Sequence, residues 1–214
     1  MLDVSGSMAG EKIAELNHAI REALPSMRDS AEDNPHAEVE VRAMTFSTGY
    51  RWVTAAPVPL SDFVWSDVTV SGITDMGAAM KAMAVELSVS NMPDRGLPPV
   101  IVLVSDGHPT DDFSAGLHAL LSEPWGQRAM RIAIGLGDDA DFDVLRRFIA
   151  RREIEPLTVR NPSDLASFIR FASTTALKAA SSPQRLSADD EADWAPSTPQ
   201  PPPPPPPAYD DQVW

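Results

Sequence analysis

The chain contains no cysteine. That excludes a disulfide framework, thiolate metal sites and cysteine nucleophiles, and it fits a reducing compartment such as the cytoplasm. No apolar run approaches the roughly 20 residues that span a bilayer. No charged segment followed by an apolar stretch opens the chain as a secretory leader would. Positive charge is scarce, with 17 Lys and Arg against 31 Asp and Glu and a net charge of −14. Such a balance argues against nonspecific nucleic-acid binding and against anionic membrane surfaces, and it suits a cation as partner. At 214 residues the sequence is one domain of ordinary size plus an appendage.

Proline, by contrast, is abundant and unevenly placed. Residues 181–214 hold ten of the 21 prolines, including the unbroken run Pro201–Pro207, and six acidic residues against Arg185 alone. A stretch of this kind buries too little apolar surface to offset its ordering entropy. The expectation is therefore a domain over 1–178 and a disordered, acidic, proline-rich tail over 179–214, with the proline run as a stiff polyproline II rod. The tail reads either as a solubilising tether or as a ligand for a proline-binding groove, with Trp214 as anchor.

Before that break, strand and helix patterns alternate. Ile13, Leu16, Ile20, Ala23, Leu24 and Met27 recur at helical spacing, and Asn34-Pro35 closes the connection. Val39 to Phe46 reads as one strand. Tyr50 to Ala56 reads as an antiparallel partner after the Thr48-Gly49 turn, closed by Pro57 and Pro59. Met76, Met80, Met83 and Leu87 space a second helix whose methionines belong to the core. Val100–Val104 is a run of β-formers expected to be buried on both faces. Helices around Phe113–Leu120, Phe142–Phe148 and Leu165–Ala172 alternate with strands at Arg131–Ile134 and Leu157–Val159. This order predicts an α/β fold with a mostly parallel sheet covered by helices on both faces.

One string concentrates chemistry. Asp3-Val-Ser5-Gly-Ser7 places a carboxylate and two hydroxyls at alternate positions, where a strand end turns toward a helix. Ser5 and Ser7 could serve merely as helix caps, and Asp106-Gly107 as an ordinary turn. In an open α/β sheet, however, ligands bind beyond the carboxyl ends of the strands, and Asp3 and Asp106 both follow strand-like runs. Oxygen-only donors suit a hard cation, Mg²⁺ first, then Mn²⁺ or Ca²⁺.

Asp3-Val-Ser5-Gly-Ser7-Met8, Gly72-Ile73-Thr74-Asp75-Met76-Gly77 and Ser105-Asp106-Gly107-His108-Pro109-Thr110-Asp111 together resemble the metal-ion-dependent adhesion site of von Willebrand factor A (VWA) domains. The resemblance spans roughly residues 1–178. In detail it is similar to the bacterial VWA proteins associated with tellurium resistance. It implies a Rossmann-like three-layer fold with one antiparallel edge strand. It implies Ser5, Ser7 and Thr74 as direct metal ligands, and Asp3 and Asp106 as ligands held directly or through water. A carboxylate from a partner protein would complete the shell. Asp111 is expected to begin the helix that follows it, and His108 to lie exposed in the loop. Trp52 and Trp65 are expected to pack. Only Met1 and Leu2 precede Asp3, so the first strand is expected to be truncated here, with a short β-branched run encoded upstream.

Three functions follow as expectations. The first is a non-enzymatic, Mg²⁺-dependent protein-binding module of a bacterial stress-response or signalling system, capturing a partner's Asp or Glu. The second is a metal-dependent phosphoesterase or phosphotransferase, although Ser5 stands where such enzymes of the haloacid-dehalogenase kind carry a second Asp. The third is an adaptor acting through its proline-rich tail.

Overall fold

The β-branched runs form strands and the runs spaced by three and four form helices in a computed structural model of the chain, which describes residues 1–33, 38–93, 96–159 and 162–181. Strands β1 (Leu2–Asp3), β3 (Met44–Ser47), β4 (Gly49–Trp52), β6 (Val100–Ser105), β7 (Met130–Leu136) and β8 (Leu157–Val159) make one sheet in the order β4-β3-β1-β6-β7-β8. Only the β3–β4 pair is antiparallel. A separate antiparallel ribbon joins β2 (Glu40–Val41) to β5 (Val58–Pro59). The architecture is thus the expected three-layer α/β fold with an antiparallel edge strand.

Helices α2 (Met76–Glu86), α3 (Phe113–Ser122), α4 (Pro124–Arg128) and α5 (Phe142–Ile149) share one face of the sheet, and α1 (Glu11–Glu32) and α6 (Pro162–Ser181) the other. The alternation of side chains along a strand divides the two cores. Ile101, Leu103 and Ala133 join Met76, Met80, Phe113, Leu145 and Phe148. Val104, Ile132, Ile134 and Leu136 join Leu16, Ile20, Leu24 and Leu165. The methionines at 76 and 80 are fully buried, as core residues should be. Helices α2 and α3 cross so closely that a Cβ on Gly116 would lie 2.5 Å from the Gly77 backbone.

Four local expectations are corrected. Val39–Phe46 is not one strand, because Arg42 and Ala43 separate β2 from β3. The Arg42 guanidinium stacks 3.9 Å over Trp52 and pairs with Glu86, which turns the chain from the ribbon into the main sheet. The strand from Tyr50 ends at Trp52, and Pro59, expected as a terminator, instead lies in β5. Its missing N–H is tolerated in a two-residue edge ribbon. Val100 and Val102 are half-buried, packed at the margin of the core under α1 and α6 rather than covered on both faces. The short helix α4 carries no periodic signal in five residues and was not expected.

Strand β1 is two residues long and lies at the centre of the sheet, between β3 and β6. Its ladder continues to Met1, whose nitrogen donates to Val102 O at 2.8 Å. The chain leaves β1 toward β3 on one side and later returns to β6 on the other, so the strand order reverses there. Asp3 ends β1 and Asp106 directly follows β6, which puts both at the switch point of the sheet. The Asn34-Pro35 stop and the tail, including Pro201–Pro207 and Trp214, lie outside the described residues.

Candidate metal site

Three loops distant in sequence meet on this rim, and hydrogen bonds tie each to the others. Gly6 N donates to Gly72 O at 3.1 Å and Ser71 N to Val4 O at 2.8 Å, joining the first segment to the second. Thr74 N donates to Thr110 Oγ1 at 3.0 Å, and Thr110 N donates to Thr74 O at 2.9 Å, joining the second to the third. The Ser105 hydroxyl donates to Asp3 Oδ2 at 2.6 Å and closes the ring between third and first.

Within this frame Asp3 bonds Ser5, Ser5 bonds Ser7 and Asp106 neighbours Asp3, while Thr74 lies on the segment whose Gly72 O accepts from Gly6 N. The chain turns into a 3-10 segment at Gly6–Met8, which brings Ser5 Oγ and Ser7 Oγ within 3.0 Å of each other. Asp3, Ser5, Thr74 and Asp106 are buried, while Ser7 is exposed. The Asp3 carboxylate is fully engaged, with Oδ1 accepting from Ser5 N at 2.9 Å and Oδ2 from Ser105. Burial pushes its pKa up. The bonds from Ser105 and Ser5 oppose that shift, and the neighbouring Asp106 charge adds to it.

Asp106 differs. Its Oδ2 faces Lys12 Nζ at 3.5 Å, but its Oδ1 is buried with no hydrogen-bond partner. A buried carboxylate oxygen without a donor is costly and calls for an explanation. Gly107, at φ +77°, turns the chain immediately after it, and a Cβ there would strike Asp141 O at 2.7 Å. That close approach lets Asp141 N donate to Asp106 O at 2.8 Å.

The donor set fits a divalent cation. Two carboxylates balance its charge, three hydroxyls add neutral oxygens, and the partnerless Asp106 Oδ1 is the atom a cation would satisfy. Among the described residues no three His, Cys, Asp or Glu side chains converge. This site has only two such groups, and its other donors are hydroxyls.

Several contributors were not among the five residues selected as ligands. Ser105 bridges Asp3 and Gly107 N, the latter at 2.8 Å. Thr110 orients Thr74. Lys12 reaches Asp106 and also Asp139, the latter at 3.0 Å. Ser105 and Thr110 stand inside the third motif string, which was their only sequence signal, and Lys12 lies outside all three strings. Asp111 corrects an expectation: it does not serve the helix it precedes. Its carboxylate accepts from Gly77 N at 2.8 Å and Ala78 N at 2.7 Å, capping α2. Asp112 caps α3 instead, accepting from Ala115 N. Asp75 turns away from the site and accepts from Gly49 N at 2.7 Å. His108 is exposed, as expected, and its Nε2 lies 2.8 Å from Asp139 O.

No protein-family model matches the chain. Human inter-alpha-trypsin inhibitor heavy chain H6 is 28% identical over a stretch covering 72% of this chain, which spans only 13% of that protein's length. Among solved structures, a von Willebrand factor type A protein from Catenulispora acidiphila superposes with a TM-score of 0.60 at 16% identity, covering 82% of this chain and 41% of that one. Proximal thread matrix protein 1 of the mussel byssus, solved with a zinc-occupied MIDAS motif, gives 0.60 at 17% identity, covering 82% and 46%. Manganese-loaded Plasmodium vivax TRAP protein gives 0.56 at 16% identity, covering 80% and 71%. At these identities the likeness is one of fold, and the fold is that of VWA domains.

Proposed function

We propose that the chain is a non-catalytic, Mg²⁺-dependent protein-binding module. The observation that carries this reading is the partnerless Oδ1 of Asp106 on the rim that also carries the Ser5–Ser7 hydroxyl pair and the buried Thr74. In this reading Ser5, Ser7 and Thr74 ligate directly. Asp106 contributes Oδ1, and Asp3, whose oxygens are both engaged, acts mainly by fixing Ser5 and by its charge. The bound cation would supply an electrophilic position for an outside oxygen. Hydroxyls are weak neutral donors, so a partner's Asp or Glu carboxylate gains strongly by completing the set. The metal-loaded states of the mussel and Plasmodium proteins support the metal part of this reading by analogy of fold.

The chain's own residues prepare the rim. Ser105 holds Asp3, Thr110 holds Thr74, and the cap from Asp111 fixes the start of α2 next to Thr74. Ser5 stands where a phosphotransfer enzyme of the haloacid-dehalogenase kind would need a second carboxylate, which favours binding over phosphoryl chemistry. In this reading, which here rests on the resemblance of the motif to tellurium-resistance VWA proteins alone, the partner belongs to a cytoplasmic stress-response or signalling system. The domain boundary near residue 178 and the role of the tail as a tether belong to the same proposal. No helix among the described residues is long and apolar enough to cross a membrane.

The test is capture of a partner by the immobilised full chain in Mg²⁺ and in EDTA, with Asp106→Asn and Thr74→Ala as variants. The expected outcome is capture in Mg²⁺ that EDTA and both substitutions abolish while the circular dichroism spectrum is unchanged. Capture that persists undiminished in EDTA would end the proposal.

A further inference from the structure

Lys12 is a cation already present on the rim. It lies in the first turn of α1, largely buried, with Nζ 3.5 Å from Asp106 Oδ2 and 3.0 Å from Asp139 Oδ1. Its path is built into the fold. Gly137 adopts φ +89°, and a Cβ there would lie 2.6 Å from Lys12 Cε and 3.0 Å from Nζ. Only glycine, tolerant of that backbone and lacking a side chain, leaves the ammonium room to reach both carboxylates. Asp139 is mostly exposed, and its pKa is held below the usual carboxylate value, first by its hydrogen bond with Lys12.

We propose that Lys12 is a built-in counter-ion that neutralises Asp106 in the metal-free protein and sets the affinity for a divalent cation by competing for the same carboxylate. The inference rests on the metal-site reading above. The ammonium occupies one oxygen of Asp106 and leaves the other bare, so a second cation on Oδ1 must share the carboxylate with a like charge. The nearer contact to Asp139 gives the ammonium an alternative anion. Asp139 thereby lowers the cost of metal entry. Two opposite consequences follow from one geometry. Removing the lysine charge tightens metal binding, and removing the Asp139 charge weakens it.

The experiment is calorimetric titration of the full chain with MgCl₂, alongside thermal melting in EDTA, for wild type, Lys12→Met, Asp139→Asn and Asp106→Asn. Methionine keeps the stem against Gly137 and deletes the charge. Two unit charges on the metal and one on the ammonium a few ångströms apart in screened water correspond to about a tenfold change in Kd. Lys12→Met is therefore expected to bind Mg²⁺ about tenfold more tightly, with a lower melting temperature in EDTA and a difference that shrinks as salt rises. Asp139→Asn is expected to bind more weakly. Mg²⁺ binding detectable in Lys12→Met but not in wild type also supports the inference. Equal or weaker binding by Lys12→Met overturns it and leaves the metal site standing, provided Asp106→Asn abolishes binding. Absence of Mg²⁺ binding from all four proteins overturns both.

Discussion

The oxygens of the two acidic residues on the rim are used unequally, and that decides which substitutions matter. Asp3 spends both oxygens inside the protein, whereas Asp106 keeps one bare. Ser105 therefore ranks in importance with the proposed ligands without being one, because its hydroxyl orients Asp3 and receives Gly107 N. Outer groups of this kind typically change metal affinity about ten- to hundredfold when removed. Ser105→Ala is expected to weaken Mg²⁺ binding by that range in calorimetry, with a normal circular dichroism spectrum. A second buried residue, Arg131, is purely structural. It is buried, and its Nε donates to Phe148 O and Ile149 O and its Nη1 to Gly126 O and Ala129 O. Burial, and then repulsion from Arg151, lowers its pKa to about 10, so it stays charged at neutral pH. Arg131→Met strips four buried carbonyls of a donor and is expected to cost about 2–4 kcal/mol in urea unfolding. Mg²⁺ affinity should not change.

Among the elements, α2 links stability to the site. Its N-terminus follows Thr74 and is capped from another loop by Asp111, and its body is pressed against α3 at Gly77 and Gly116. Losing the cap costs on the order of 1–2 kcal/mol. Asp111→Ala should show that loss in unfolding together with weaker Mg²⁺ binding, because the loop carrying Thr74 is freed at one end. Gly116→Ala pushes a methyl into the Gly77 backbone and is expected to destabilise by about 1–3 kcal/mol, read as a lower melting temperature. The elements themselves were largely legible. The spaced methionines of α2, the β-branched run of β6 and the alternation of strands with helices follow from periodicity, which is local. The β2–β3 break was not legible, because the stacking of Arg42 on Trp52 and its pairing with Glu86 join residues far apart in sequence. Asp111 was misassigned for the same reason: a cap looks local in sequence, yet here it reaches across to a helix 34 residues earlier.

For the whole molecule, the charge of −14 is spread over the α/β portion and an acidic tail that alone carries a net −5. In the tether reading, deletion after Ala180 leaves Mg²⁺-dependent capture nearly unchanged. A large loss in the same pull-down would make the tail a docking peptide. The sequence by itself determined the α/β alternation and the hard-oxygen character of the Asp3-Val-Ser5-Gly-Ser7 string, because periodicity and side-chain chemistry are properties of single residues and short strings. The resemblance of its three motifs to the VWA adhesion site supplied the set of five candidate ligands. Only the tertiary structure decided which carboxylate oxygen stays bare, which serine holds Asp3 and that a lysine stands beside Asp106. Those facts depend on the reversal of strand order at β1, which brings residues 3, 74 and 106 to one rim through contacts that no local pattern encodes.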